Sequence, residues 1–405
     1  MNSNIETNEN DGLIIGIDIQ KQYSQICWYD YDNKICEPVV SDENEAFICN
    51  PNEVCELFNT PRGLDYEYTK ELAEFIFNLI ELTKHKCQRM KVEKVCITVE
   101  IFEKYILDRL KVALNSLIMP KEQWILISHE ECYAYYAFSQ KHELYSSGVM
   151  LLDYTIDGLH TYRMNIGKIQ DKNVIMEKRV TFDDNKILDV VQGRKGFADV
   201  SEHIMEIVRG VMPDRSLSSV YLTGVGFDIP EFPMEFARML CTGRKAFVGQ
   251  NLFVKGACYC AYEEINSDLF KNVLLACYNR ITTGVELDII ERGVPRRFRL
   301  VRTGINWYMA DRNIDFILDD ITKIRFILRS CDSSEEYEEV IDISEIPYRE
   351  GRITRINMNV TFENDSKMVV TITDRGFGDF AKSSGRVIKK EIYLDTERKV
   401  SEGEA

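Results

Sequence analysis

"GLIIGIDIQKQYSQICWYD", residues 12–30, decides how the chain is read. An apolar run passes through Gly16 to Asp18, polar residues interrupt it, and a second apolar and aromatic run follows. Alternation and β-branching predict strand, tight turn, strand, with a buried acid at the bend. An acid so placed either caps the turn or does chemistry.

The same pattern returns at "GVMLLDYTIDGLHTYRMNIG", residues 148–167, with Asp153 in the corresponding place. Between the two hairpins the spacing predicts helices over 68–87, 102–117 and 130–140, and strands over 94–99 and 123–128. Short strands broken by Pro and an acidic turn are expected over 35–51. After the second hairpin come a helix over 199–212, a strand over 219–224 ending in a Gly turn, and helices over 234–240 and 249–265. Two units that each open on an Asp-bearing hairpin and continue in strand–helix alternation imply an internal duplication built of α/β layers. Past residue 280 the texture changes to strand-like runs such as "TRINMNVTFEN" and "KMVVTITDRG", separated by turns. No long helical stripe interrupts them, and an antiparallel β-sandwich is expected.

Composition narrows the function classes. At 405 residues the chain exceeds the size at which a single core stops growing, so more than one domain is expected. A net charge of −16 and a pI near 5.0 argue against nucleic acid or an anionic membrane surface as partner. The most basic segment, "RGVPRRFRLVRTG" at 292–304, reads as a strand with a charged outer face. Twelve cysteines include no CxxC, and with five scattered histidines no zinc spacing is present. Most lie in apolar runs such as "KVCITV", where they read as small hydrophobes. The acidic N-terminus carries no secretory pattern and no apolar run reaches membrane-spanning length, so a reducing, cytoplasmic setting is expected.

Two Asp-bearing hairpins, a strand–Gly turn and a following sandwich resemble the seventy-kilodalton heat-shock chaperones, within the actin and sugar-kinase ATPase superfamily. A compact bacterial branch of that group is implied. The resemblance implies a two-lobed actin-like ATPase fold of duplicated ribonuclease-H-like domains, followed by a substrate-binding β-sandwich. It further implies lobes at 12–147 and 148–270, a linker at 271–283 ("KNVLLACYNRITTGVEL" resembles the interdomain linker) and the sandwich at 284–395. Residues 1–11 and 396–405 read as disordered.

The resemblance also assigns roles. "GIDIQKQYSQI" is similar to the first phosphate loop, so Asp18 would hold the Mg²⁺ hydration shell and the amides of Gln20, Lys21 and Gln22 would cradle phosphate. "LLDYTIDGLHTYRM" is similar to the second loop, with Asp153 the other Mg²⁺-side acid and Gly158 its glycine. Glu130 falls where the chaperones carry the glutamate that orients the attacking water. "VYLTGVGFDIP" resembles the adenosine turn, giving Gly224, Val225 and Gly226. ATP or ADP with Mg²⁺ is the implied ligand, with a protein or peptide client at the sandwich. The chemistry is coherent: two facing carboxylates hold a hydrated cation, backbone amides take phosphate oxygens, and a third carboxylate positions water.

Departures point the other way. Gln20 and the Thr155–Ile156–Asp157 run stand where the family has glycines, and Val225 replaces one of a glycine pair. Asp157 adds negative charge beside a polyphosphate, and Asp228 replaces an adenine-stacking arginine. The upper-lobe segments are short, and no position corresponds to the phosphate-contacting lysine. His129 and His160 flank the expected cleft, where a lone histidine is ordinarily a surface or core residue. Two functions therefore stand: a nucleotide-binding protein with slow or no hydrolysis coupled to the sandwich, and a pseudo-ATPase scaffold that binds a protein partner without turnover.

Overall fold

The computed structural model describes residues 12–40, 47–58, 66–117, 119–169, 172–212, 216–267, 270, 273–331 and 336–394. The chain divides into two compact units, one ending at Leu274 and the other starting at Leu275. The expected disordered ends lie outside the described residues.

The first unit holds two sheets of one design. In the first sheet, β1 (Leu13–Ile19), β2 (Tyr23–Asp30), β3 (Ile35–Pro38), β4 (Ile48–Cys49), β5 (Val92–Val99) and β6 (Trp124–Ser128) lie in the order β3-β2-β1-β5-β6, with β4 beside β2. The β1–β2 and β2–β3 pairs are antiparallel, whereas β1–β5 and β5–β6 are parallel. The second sheet repeats this with β7 (Val149–Thr155), β8 (Gly158–Ile169), β9 (Lys172–Phe182), β10 (Ser219–Thr223) and β11 (Lys245–Val248), in the order β9-β8-β7-β10-β11, and adds a sixth strand, β12 (Val273–Ala276), beside β9. Again the first three strands are antiparallel and the last two add in parallel. Matching order and matching sense in both sheets make the unit a duplicated mixed α/β structure.

The helices are α1 (Asn52–Cys55), α2 (Tyr66–Cys87), α3 (Lys104–Ser116), α4 (His129–Phe138), α5 (Asn185–Val191), α6 (Phe197–Val211), α7 (Met234–Cys241) and α8 (Leu252–Asn266). Every residue of β1 is buried, as a central strand covered on both faces requires. Helix α8 lies unusually close to it: a Cβ on Gly16 would sit 2.5 Å from the amide nitrogen of Cys258 and 2.5 Å from the carbonyl oxygen of Val254. A side chain at position 16 would push helix and strand apart. The second sheet packs against an aromatic core in which Phe197 and Phe236 meet edge to face, with ring centroids 5.2 Å apart.

Strand β12 (Val273–Ala276) spans the division between the units. The second unit consists of β13 (Thr283–Glu291), β14 (Val294–Val301), β15 (Arg312–Leu318), β16 (Lys323–Ser330), β17 (Glu336–Asp342), β18 (Thr354–Phe362), β19 (Lys367–Asp374) and β20 (Val387–Tyr393). They form two four-stranded antiparallel sheets, β14-β13-β16-β17 and β15-β18-β19-β20. Burial alternates strictly along β18, the mark of a strand with one face on a core. The basic strand β14 is balanced locally, Arg297 pairing with Glu336 at 2.9 Å and Arg299 with Glu286 at 3.6 Å. Asp374, fully buried, takes two hydrogen bonds from the Arg349 guanidinium at 2.9 and 2.6 Å. Among the described residues no helix is long and apolar enough to cross a membrane.

Candidate functional site

The duplicated hairpins bring their turns to one place. A small cleft is lined by Gln20, Lys21, Gln22 and Tyr23 of the first turn, Thr155 and Ile156 of the second, Gly224 and Val225 after β10, and Glu100 after β5. Five of the residues singled out from the sequence therefore line one cleft. Gly158 and Gly226 do not line it, and Asp18 and Asp153 are buried, 0% and 4% exposed.

Asp18, the penultimate residue of β1, has both carboxylate oxygens engaged by protein. His129 Nε2 lies 2.8 Å from Oδ1, and Gln20 Nε2 donates to Oδ2 at 2.7 Å. Gln20 does so without a positive φ. His129 is delivered by the start of α4, where Ser128 and Glu131 close a reciprocal capping box that fixes the first turn. Its ring stacks on Phe253 of α8, centroids 3.9 Å apart and 5° from parallel. Burial disfavours the imidazolium, but the charge and hydrogen bond of Asp18, with Asp153 and Glu100 behind them, outweigh it and raise the His129 pKa. Asp153 is pushed up to about 7, chiefly by burial, against the pull of His129.

The first turn is satisfied in the same internal way. The Gln20 amide donates to the Tyr23 carbonyl at 3.0 Å, and the Lys21 amide donates to Glu100 Oε2 at 3.1 Å. The Lys21 ammonium pairs with Asp157 of the second turn. Burial lowers the Lys21 pKa, but the Asp157 hydrogen bond and the charges of Glu100 and Asp157 more than restore it. Asp157 is thus neutralised by Lys21 rather than left facing the cleft as an uncompensated charge. Glu100 itself titrates higher than an ordinary glutamate because burial outweighs the pull of Lys21.

At the third turn Gly224 takes φ +93°, and a Cβ there would lie 2.5 Å from the Tyr154 carbonyl oxygen and 2.8 Å from Asp153 Oδ1. The Gln250 side chain clamps it, accepting from the Gly224 amide at 3.0 Å and donating to its carbonyl at 3.3 Å. Glu130 is not among the cleft-lining residues; its Oε1 lies 3.7 Å from Arg179 Nη1. His160 sits between Thr155 and Thr181, at 3.1 and 2.9 Å, and burial lowers it to about 4, so it is neutral.

Sequence reasoning did not reach Glu100 or Gln250. Glu100 directly follows the buried run "VCITV", and an acid at the mouth-side end of a parallel strand is the signal that could have found it. Gln250 carries no such signal, because its role depends on the distance between two chain segments.

Among solved structures the chain is similar to a crystal structure of a ROK hexokinase from Thermus thermophilus, with 10% identity over 63% of this chain and all of that one, at a TM-score of 0.35. No curated protein matches the chain. Residues 280–394 match the model described as a domain of unknown function, DUF8552. Residues 59–278, over half of the chain, match the C-terminal model of a family of unknown function, DUF5716, and the chain belongs to that family.

Proposed function

We propose that this protein is a degenerate relative of the actin-like, heat-shock-chaperone-like ATPases that serves as a binding scaffold and does not turn over nucleotide. The observation that carries the reading is the Asp18 carboxylate with both oxygens already hydrogen-bonded to His129 and Gln20. A hydrated Mg²⁺ needs free carboxylate lone pairs facing its water shell. Here one oxygen takes the buried His129 ring and the other the Gln20 side-chain amide, and the charge of Asp18 raises the His129 pKa above its ordinary value. The residues present do not fit the ion.

The phosphate cradle supports the same reading. Carboxylate oxygens of Glu100 and Asp157 accept from the Lys21 amide and ammonium, where phosphate oxygens would have to accept. With Gln20 in place of a glycine, the first turn is filled from within. In this reading the duplicated lobes are retained as a rigid body, and the two antiparallel sheets beyond residue 280 form a β-sandwich that takes a protein or peptide partner.

One observation favours the second reading, binding of ATP or ADP with Mg²⁺: all three loops that would contact nucleotide still meet at one cleft. Isothermal calorimetry of the full chain with ATP and ADP, with and without Mg²⁺, separates the two. The scaffold reading expects no heat at millimolar nucleotide in either condition. Micromolar, Mg²⁺-dependent binding that disappears in Asp153→Ala would overturn it and establish a working nucleotide site.

A further inference from the structure

Where β2, β3 and α8 meet, three cysteines converge from segments far apart in the chain. Cys27 comes from β2, Cys36 from β3 and Cys258 from α8, and their sulfurs all lie within 4.8 Å of one another. They are 0%, 2% and 0% exposed. Among the described residues this is the one cluster of three His, Cys, Asp or Glu side chains able to share an ion. The close approach of α8 to β1 at Gly16 is what lets Cys258 reach this layer at all.

The local chemistry is not that of three inert hydrophobes. Lys255 stands one turn before Cys258 on α8. Three buried sulfurs meeting at one point, with a lysine one turn along the same helix, offer a soft donor set to a single ion.

We propose that Cys27, Cys36 and Cys258 form a three-sulfur site for a thiophilic d¹⁰ cation, Zn²⁺ or Cu⁺. All-sulfur donors select these soft ions over Mg²⁺ or Ca²⁺. Two considerations set the choice between them. Three thiolates are balanced by a divalent ion together with the Lys255 ammonium, which favours Zn²⁺. A closed site of three sulfurs suits Cu⁺, because structural zinc nearly always takes a fourth ligand. Binding is a proton exchange: each S–H that becomes a metal–sulfur bond releases its proton to solvent, and no electron is transferred.

The test uses the full chain, purified metal-free under anaerobic reducing conditions and loaded in separate arms with Zn²⁺ and with Cu⁺. The expected result is one ion per chain in one of the two arms, retained through gel filtration, with three sulfur donors by X-ray absorption, alone for Cu⁺ or with one light-atom fourth donor for Zn²⁺. Cys258→Ser should weaken retention by at least about tenfold, a loss that follows even from disturbing a ligand's supporting partner. Cys49→Ser and Cys241→Ser, on exposed thiols, should leave it unchanged. The absorption measurement needs no variant, so the proposal stays testable if Cys258→Ser fails to fold. Retention in neither arm, fewer than three sulfur donors around the ion, or loss of the ion in Cys49→Ser or Cys241→Ser would each overturn it.

Discussion

The His129 imidazole and the Asp18 carboxylate form a buried pair at 2.8 Å, 4% and 0% exposed, that joins the first hairpin to the start of α4. Neither group can be solvated by water in that place, so each depends on the other. Removing one partner leaves an uncompensated buried charge, which costs about 3–5 kcal/mol. His129→Ala should therefore lower the urea unfolding free energy by an amount in that range. A loss below about 1 kcal/mol would mean that the pair acts as an ordinary hydrogen bond and not as a buried ion pair.

The same pair sets a pH dependence. A histidine whose folded pKa lies above 6.5 adds stability in full below 6.5, and the contribution fades as pH rises through the folded value. Asp153, raised from 3.8 to about 7, acts in the same sense: the fold favours its neutral form, so stability falls as pH climbs from 3.8 towards 7. His160 acts oppositely, losing its contribution as pH drops from 6.5 towards 4. Thermal midpoints across pH 6.5 to 9 should thus decline in the wild type. His129→Gln, which cannot titrate, should give a flatter profile above 6.5, and two parallel profiles would refute the assignment to His129.

Gly224 should be far less replaceable than its left-handed φ alone implies. Gly243 also has positive φ, +72°, but a Cβ there would touch nothing within 4 Å, so Gly243→Ala should cost only the left-handed penalty of about 1–2 kcal/mol. At Gly224 the added Cβ would meet both the Tyr154 carbonyl and Asp153 Oδ1 under 3 Å, neither of which can move freely. Chemical unfolding should show Gly224→Ala losing at least about 2 kcal/mol more than Gly243→Ala, because the turn must shift as well as strain. Equal losses would show that the turn relaxes without cost.

Much of this fold was legible in the chain because its elements are locally encoded. Residues 12–30 alternate and branch as strands do, and β1 and β2 form there; the helical stripe from Leu72 to Leu82 lies within α2. Strand β11 and helix α5, four and seven residues long, fall below the length at which periodicity can speak. The site is a different matter. Asp18, Lys21 and Asp157 stand out one at a time, but nothing local tells that His129 reaches Asp18 or that Lys21 answers Asp157. The thiol cluster shows the same limit: without a CxxC spacing, its cysteines look like packing until β2, β3 and α8 bring them together. Spacing reports sites built within a segment and is silent on those assembled by tertiary contact.

Two carboxylates fill the first turn, Glu100 on the Lys21 amide and Asp157 on the Lys21 ammonium. If Glu100 and Asp157 stand where an anion would sit, then Glu100→Ala with Asp157→Ala frees the Lys21 amide and ammonium together. It also removes two negative charges that would repel any phosphate in the cleft. Calorimetry with inorganic triphosphate should then find binding at least about tenfold tighter than in the wild type, a gain of about 1.4 kcal/mol. Adding Lys21→Ala to the double variant should abolish the gain, since the ammonium is the group released. If the double variant binds no better than the wild type, Glu100 and Asp157 do not block the turn. If the wild type already binds triphosphate as tightly, its cradle is open and the nucleotide reading regains its footing.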